Sequence, residues 1–137
     1  MNELDELLDA CTYELEIFSS GYRMMGQLLD REYVKSKIEM LGLSEIYIYG
    51  GGYLGIQLYN AVKRFVNILS VVDKSGKLLL DISDISVIDL NEFKSVYKQQ
   101  SVIITPIKHY KPIYTELSEF VPSNKMICLG EFLGGIL

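Results

Sequence analysis

Six consecutive residues carry the clearest chemical pattern in the sequence: Gly50, Gly51, Gly52, Tyr53, Leu54 and Gly55. They fit the pattern G-x-G-x-x-G, and residues 50–55 are called the glycine turn below. The pattern follows a predicted strand and opens a predicted helix, the context in which it indicates phosphate binding. Gly50 would allow a tight turn, Gly52 would admit a pyrophosphate to the backbone, and Gly55 would let the helix approach the sheet. The free N–H groups of the helix N-terminus would attract an anion without a basic surface.

Asp73 is the second candidate ligand-binding residue. It lies 18 residues beyond Gly55, at the predicted end of the next strand, and Lys74 follows it. A carboxylate at this position accepts hydrogen bonds from ribose hydroxyls and repels a 2′-phosphate. We therefore predict that Asp73 and Lys74 contact the ligand, and that NAD is favoured over NADP if the ligand is a dinucleotide.

A polar loop follows the predicted fourth strand. Thr105, Pro106 and His109 are predicted to contact the ligand there, and the loop also contains Lys108, Tyr110 and Lys111. The lysines and the histidine could hold a second phosphate or a sugar carboxylate. His109, the only histidine, is the one candidate general base that needs no pKa shift near neutral pH. A solvated loop is the alternative, because no positioned acid or nucleophile accompanies it.

Composition excludes several classes of function. The chain has 137 residues, 18 acidic against 13 basic side chains, and a net charge of −5, which disfavours nucleic-acid binding. No apolar run approaches the roughly 20 residues that span a membrane. Acidic residues near the start (Glu3, Asp5, Glu6) argue against export, so we predict a cytoplasmic protein. A single histidine excludes His-rich metal centres, and we expect no metal. Cys11 and Cys128 are expected to be free, buried thiols.

The chain that positions these residues divides near Ser44 into an N-terminal helical segment and an α/β domain. Residues 1–43 read as helical, with an apolar heptad stripe over residues 4–29. Ser19, Ser20 and Gly21 interrupt the stripe, so one bent helix and two shorter helices both remain possible. We predict that this segment joins two or more copies of the chain into a homodimer or a higher homo-oligomer.

A separate helix is predicted after Asp30. Asp30 is a good N-cap, and Gly42 is well placed to end the helix. Val34, Ile38 and Leu41 are expected to point inward.

Residues 44–137 are predicted to form one α/β domain. Short apolar runs at residues 46–49, 66–72, 87–88, 101–105 and 125–129 read as strands, and residues 53–64, 91–98 and 112–120 as helices. Strands this short and apolar suit a buried parallel sheet. We predict a doubly wound sheet of order 3-2-1-4-5, with a flavodoxin-like sandwich as the alternative. Tyr47 and Tyr49 are expected to pack under helices.

The stretch "EIYIYGGGYLGIQLYNAV…ILSVVDKSGK…SVIITPIKHYKPIYTEL…KMICLGEFL" resembles the Rossmann-like domains of bacterial surface-polysaccharide and sugar-nucleotide biosynthesis proteins. The resemblance covers residues 44–137. It implies nucleotide or nucleotide-sugar binding at the glycine turn through Gly50, Gly52, Gly55 and Asp73. In sugar acyltransferases of this kind the turn often reads G-x-G-G-H-G. Tyr53 and Leu54 replace the glycine and the histidine that precede the final glycine of that pattern, so acyl transfer is not expected.

Three functions are compatible with the sequence. The first is binding of a nucleotide, dinucleotide or nucleotide-sugar in sugar-nucleotide or surface-polysaccharide metabolism. The second is a small NAD-dependent oxidoreductase whose site an oligomer completes. The third is a non-catalytic adaptor that uses the shell of the fold.

Overall fold

Helices and strands alternate along the chain. The computed structural model describes residues 28–78, 84–106 and 110–133. The strands are β1 Glu45–Tyr49, β2 Asn67–Val72, β3 Val87–Ile88, β4 Ser101–Ile104 and β5 Met126–Cys128. The helices are α1 Arg31–Leu41, α2 Tyr53–Val62, α3 Leu90–Val96, α4 Tyr110–Leu117 and α5 Leu129–Phe132, and a 3-10 turn at Ser123–Lys125 precedes β5.

All four strand pairs are parallel, and the sheet order is β3-β2-β1-β4-β5. The predicted doubly wound α/β fold and strand order are therefore confirmed, and the flavodoxin-like alternative, which needs a different order, is not adopted. Tyr49 pairs with Val72 on one side and with Ile104 on the other, so the three central strands end level. The residues that follow these strands consequently lie side by side at the carboxyl edge of the sheet.

Helices cover both faces of the sheet, and β1 shows how the two faces differ. Ile46 and Ile48 are fully buried under α1, α2 and α5, whereas Tyr47 and Tyr49 are buried under α3 and α4. This alternation follows from the two-residue repeat of a strand. The predicted packing of both tyrosine rings is confirmed; the ring of Tyr47 meets Phe93 edge to face at 4.8 Å.

Helix α1 begins and ends where the sequence predicts. The Asp30 carboxylate accepts a hydrogen bond from the Tyr33 N–H at 3.1 Å, and Gly42 ends the helix with φ of 64°. The prediction that Leu41 points inward is wrong, since it is 43% exposed. The left-handed turn at Gly42 sends Leu43 back to the core instead, and its N–H donates to the Ile38 carbonyl.

Other boundaries also differ from the predictions. Helix α3 is capped by Asp89, not by Asn91, because Asp89 accepts from the Glu92 N–H at 2.9 Å. The last predicted strand stops at Cys128, which caps α5 and is a free, half-buried thiol rather than a fully buried one. Cys11 lies outside the described residues, and so does the part of the heptad stripe that precedes Leu28. Within the described ranges, no helix is long and apolar enough to cross a membrane.

Candidate functional site

The strand-to-helix turn after β1 requires glycine at its first position. Gly50 has φ of 114°, which side chains rarely tolerate. A Cβ atom at Gly50 would lie 2.4 Å from Thr105 Oγ1 and 3.0 Å from Pro106 Cδ. Its N–H donates to the Val72 carbonyl at 2.7 Å, which ties the turn to β2. Thr105 and Pro106 thus pack against the turn, because they follow β4, which ends beside the end of β1.

Gly55 allows the first turn of α2 to lie directly on the glycine turn. A Cβ atom there would lie 1.8 Å from the Gly50 carbonyl oxygen, a distance that backbone atoms cannot relieve without moving. The sequence predicts close packing of helix on sheet at Gly55. In the structure, Gly55 packs against the backbone of Gly50 in the turn, and this approach is closer than helix-on-sheet packing requires.

Gly52 differs from both, because the protein itself does not require a glycine there. Its φ of −81° and ψ of −165° suit any residue, and an added Cβ meets no heavy atom within 4 Å in the described part of the chain. Gly52 is the N-cap of α2 and provides no side-chain cap. The first hydrogen bond into the helix runs from the Ile56 N–H to the Gly52 carbonyl at 3.0 Å. The preceding N–H groups at this helix end have no helical partner.

Asp73 holds the glycine turn from the side of β2. Its Oδ2 accepts a hydrogen bond from the Gly51 N–H at 2.7 Å, and its Oδ1 accepts from the Ser75 N–H at 3.0 Å and the Ser75 hydroxyl at 2.7 Å. Burial raises the pKa of Asp73, but the hydrogen bonds from Gly51 and Ser75 outweigh it and lower the pKa below its usual value. The carboxylate is therefore charged, and Oδ2 retains a lone pair that a ribose hydroxyl can use.

Thr105 lies at the predicted place, but its hydroxyl is used by the protein. Thr105 Oγ1 donates to the Tyr49 carbonyl at 2.9 Å, and the residue is 2% exposed. The structure gives Thr105 the role of joining β4 to the end of β1. Pro106 presents its ring to Gly50. Both residues shape the turn; a direct ligand contact by either stays a prediction.

Tyr49 is a site residue that the sequence reasoning assigned to packing alone. Its hydroxyl is buried and has no hydrogen-bond partner within the described residues. Burial and the negative charges of Glu116 and Asp73 raise the pKa of Tyr49 to about 12, so the hydroxyl stays protonated. A hydrogen bond to a buried hydroxyl avoids a cost of about 1–3 kcal/mol, so a polar group bound within reach of Tyr49 would be stabilised. The signal in the sequence is a tyrosine immediately before the glycines.

Lys74 crosses the carboxyl edge of β1 to reach α4. Its Nζ lies 3.0 Å from Glu116 Oε2, and both side chains are partly exposed. The ion pair connects the end of β2 with the helix after β4. Lys74 was predicted to contact the ligand, and Glu116 is a neighbour that the sequence did not reveal because it is 42 residues away.

The remaining predicted residues fall in three places. Tyr53, the first residue of α2, is 49% exposed at the mouth of the turn, and Leu54 packs against the core under α2. Lys108 and His109 lie outside the described residues, so the proposed general base stays a prediction. Tyr110 and Lys111 begin α4.

Chemically, the described part of the site is suited to binding. It combines an uncapped helix N-terminus, an open position at Gly52 and an ionised Asp73. In the described ranges, no group of three or more His, Cys, Asp or Glu side chains could hold a metal ion. Comparisons with protein-family models, with curated proteins and with solved structures found no match to this chain.

Proposed function

We propose that this chain binds a nucleotide, a dinucleotide or a nucleotide-sugar, with its phosphates at the N-terminus of α2. The observation that carries the proposal is Gly52: its φ and ψ do not require a glycine, it provides no side-chain cap, and an added Cβ meets no heavy atom within 4 Å in the described part of the chain. A phosphate there would accept hydrogen bonds from the free N–H groups of the first helical turn and would meet the positive end of the helix dipole.

The buried Tyr49 hydroxyl supports the proposal independently, because it lies near Asp73 at the same edge and lacks a partner within the described ranges. Asp73 would accept a ribose hydroxyl through Oδ2, which favours NAD over NADP among dinucleotides. The sequence resemblance to Rossmann-like domains supports a role in sugar-nucleotide or surface-polysaccharide metabolism. The free thiol of Cys128 agrees with a reducing compartment such as the cytoplasm.

Thermal unfolding in the presence of NAD, NADP, ATP and UDP-sugars tests the proposal. A ligand at about 100 times its Kd stabilises the native state by roughly 2.7 kcal/mol, which raises the unfolding midpoint by several degrees. Gly52→Val should remove this rise while leaving the fold largely intact, because an added Cβ meets no heavy atom within 4 Å in the described part of the chain. Unchanged ligand affinity in folded Gly52→Val would disprove the phosphate assignment. Equal stabilisation by NAD and NADP would disprove the ribose assignment.

We also propose that the apolar stripe over residues 4–29 joins copies of the chain. Leu28 is buried in the core at 5% exposure, whereas Leu29, the last member of the stripe, is 78% exposed and free to meet another surface. The pair of substitutions Leu8→Glu and Leu15→Glu should dissociate the assembly, because buried charges without partners are unfavourable. Light scattering measures the mass directly. A monomeric native protein at micromolar concentration would refute the proposal.

A further inference from the structure

An open cavity lies between α4 and the edge strand β5. Its volume of about 450 Å³ lies within the range of small-molecule sites. Its lining comes from α4 (Tyr110, Lys111, Tyr114), from the turn before β5 (Ser123) and from the start of α5 (Glu131). With Met126 of β5, residues of four consecutive elements thus line one space, and none of them comes from the glycine turn.

Two tyrosine rings form the apolar part of this cavity. The rings of Tyr110 and Tyr114 lie 5.7 Å apart with an angle of 46° between their planes. The tilted rings present two angled aromatic faces, and the apolar C–H face of a sugar ring can pack on either of them.

The polar groups of the cavity are balanced in charge. Lys111 has no ion-pair partner in the described part of the chain. The Glu131 carboxylate lies 3.6 Å from the Cys128 thiol. Burial, followed by the influence of Cys128 and Glu131, raises the pKa of Tyr110 to about 12, so its hydroxyl keeps its proton. Donors at Lys111 and an acceptor at Glu131 favour an uncharged ligand that carries several hydroxyl groups.

We propose that this cavity binds the sugar ring of a nucleotide-sugar, an inference that rests on the proposed function of the glycine turn. Tyr110 follows β4, and Glu131 follows β5, so both lie toward the carboxyl edge where the glycine turn ends β1. Neighbouring strands are about 4.8 Å apart, which places β5 roughly 10 Å from β1 within the sheet. Since α2 and α4 cover opposite faces, the diphosphate would cross the carboxyl edge between β1 and β4, where doubly wound sheets bind their ligands. The sugar would lie on the tyrosine rings, and its hydroxyls would bond to Lys111 and Glu131.

Calorimetric titration with UDP and with UDP-hexoses separates the sugar from the nucleotide. Native protein should bind the UDP-hexose that fits the cavity about tenfold more tightly than UDP. Tyr114→Ala should abolish that difference and leave UDP affinity unchanged, whereas Tyr114→Phe should preserve it. Equal affinity of the native protein for UDP and for every UDP-hexose tested would overturn the proposal, as would native UDP-hexose affinity in Tyr114→Ala.

A second pair of variants guards against misfolding of Tyr114→Ala. Glu131→Gln keeps the size of the side chain and removes its charge, and it should weaken UDP-hexose but not UDP. Glu119→Gln is the matched control, since Glu119 is exposed and pairs with Lys94 outside the cavity. Native UDP-hexose affinity in Glu131→Gln would exclude the carboxylate as a sugar ligand and contradict the proposal.

Free hexoses distinguish failure of the cavity from failure of the glycine turn. At tens of millimolar, a hexose that binds should shift the amide resonances of the lining residues Tyr110, Lys111, Tyr114 and Glu131, in native protein and in Gly52→Val alike. Loss of UDP binding with these shifts intact would refute only the glycine-turn assignment. Absence of shifts with every hexose would refute the sugar cavity, whatever the outcome with UDP.

Discussion

Helix α2 and helix α3 begin in different ways, although both follow a strand of the same sheet. At α3, the Asp89 carboxylate accepts a hydrogen bond from the Glu92 N–H, so the chain neutralises its own helix N-terminus. At α2, the equivalent position is Gly52, which has no side chain to cap the helix. Asp30 caps α1 as Asp89 caps α3. A capped start serves folding, whereas the first N–H groups of α2 have no side-chain cap and are available to the phosphate that we propose.

Gly55→Ala should have the largest effect on stability, because it tests the close packing of Gly55 against the Gly50 backbone at the start of α2. The new methyl group would lie 1.8 Å from the Gly50 carbonyl oxygen, so the turn or the helix must move. We expect a loss of about 3 kcal/mol or more in the free energy of unfolding. Urea unfolding measures it, with Gly52→Ala as the matched control at roughly 0.5 kcal/mol or less. Equal midpoints for the two variants would show that α2 does not depend on this contact.

Asp73→Asn should have an intermediate effect on stability, because it weakens the hydrogen bond that the Gly51 N–H donates to Asp73 without adding volume. An amide group would turn its own donors toward those of Ser75, and we expect a loss of about 1–2 kcal/mol, limited by partial exposure of the carboxylate. The pKa of Asp73 is lowered in the folded state, so its stabilisation is complete above the unfolded value of about 3.9 and is lost as pH falls through the folded value. Urea midpoints of native and variant protein should therefore converge below about pH 4. A difference that stays constant with pH would contradict the role of the charge.

Gly52→Asp should have the smallest effect on stability, and it tests most directly the difference between the uncapped start of α2 and the capped start of α3. Its extended backbone suits an N-cap, so the variant should gain about 0.5 kcal/mol by capping α2 as Asp89 caps α3. The same carboxylate would occupy the proposed phosphate position, and nucleotide binding should be lost. Thermal unfolding with and without ligand measures both effects, and Asp89→Gly is the reciprocal control, with a loss of a few tenths of a kcal/mol. A stabilised Gly52→Asp protein that binds nucleotide normally would show that α2 is not the anion site.

Local patterns were sufficient to predict the strand order and several helix ends. Asp30 and Gly42 act within three or four residues of their own positions, so their roles follow from sequence spacing alone. The wrong prediction at Leu41 also has a local cause. Helical periodicity does not show that the left-handed turn at Gly42 ends the helix there and directs Leu43, not Leu41, to the core.

The parts of the site that were missed depend on contacts across the sheet. Asp73 bonds Gly51 over 22 residues, and this contact exists only because β1 and β2 end level. Tyr49 is in the core as predicted, but its nearby charges, Asp73 after β2 and Glu116 of α4, are distant in the sequence. Periodicity identifies which face a side chain occupies, whereas its polar partners are set by the register of neighbouring strands.

The two edges of the sheet are unusually brief. Strand β3 has two residues and strand β5 has three, so each margin offers few unpaired backbone N–H and C=O groups. Long, flat margins template the addition of foreign strands and lead to aggregation, and brevity is one of the ways in which proteins prevent this. A sheet with such margins cannot be extended readily by another chain. We therefore expect a second copy to approach the described part of this protein through helices and loops, and growth into fibrils by strand addition is disfavoured there.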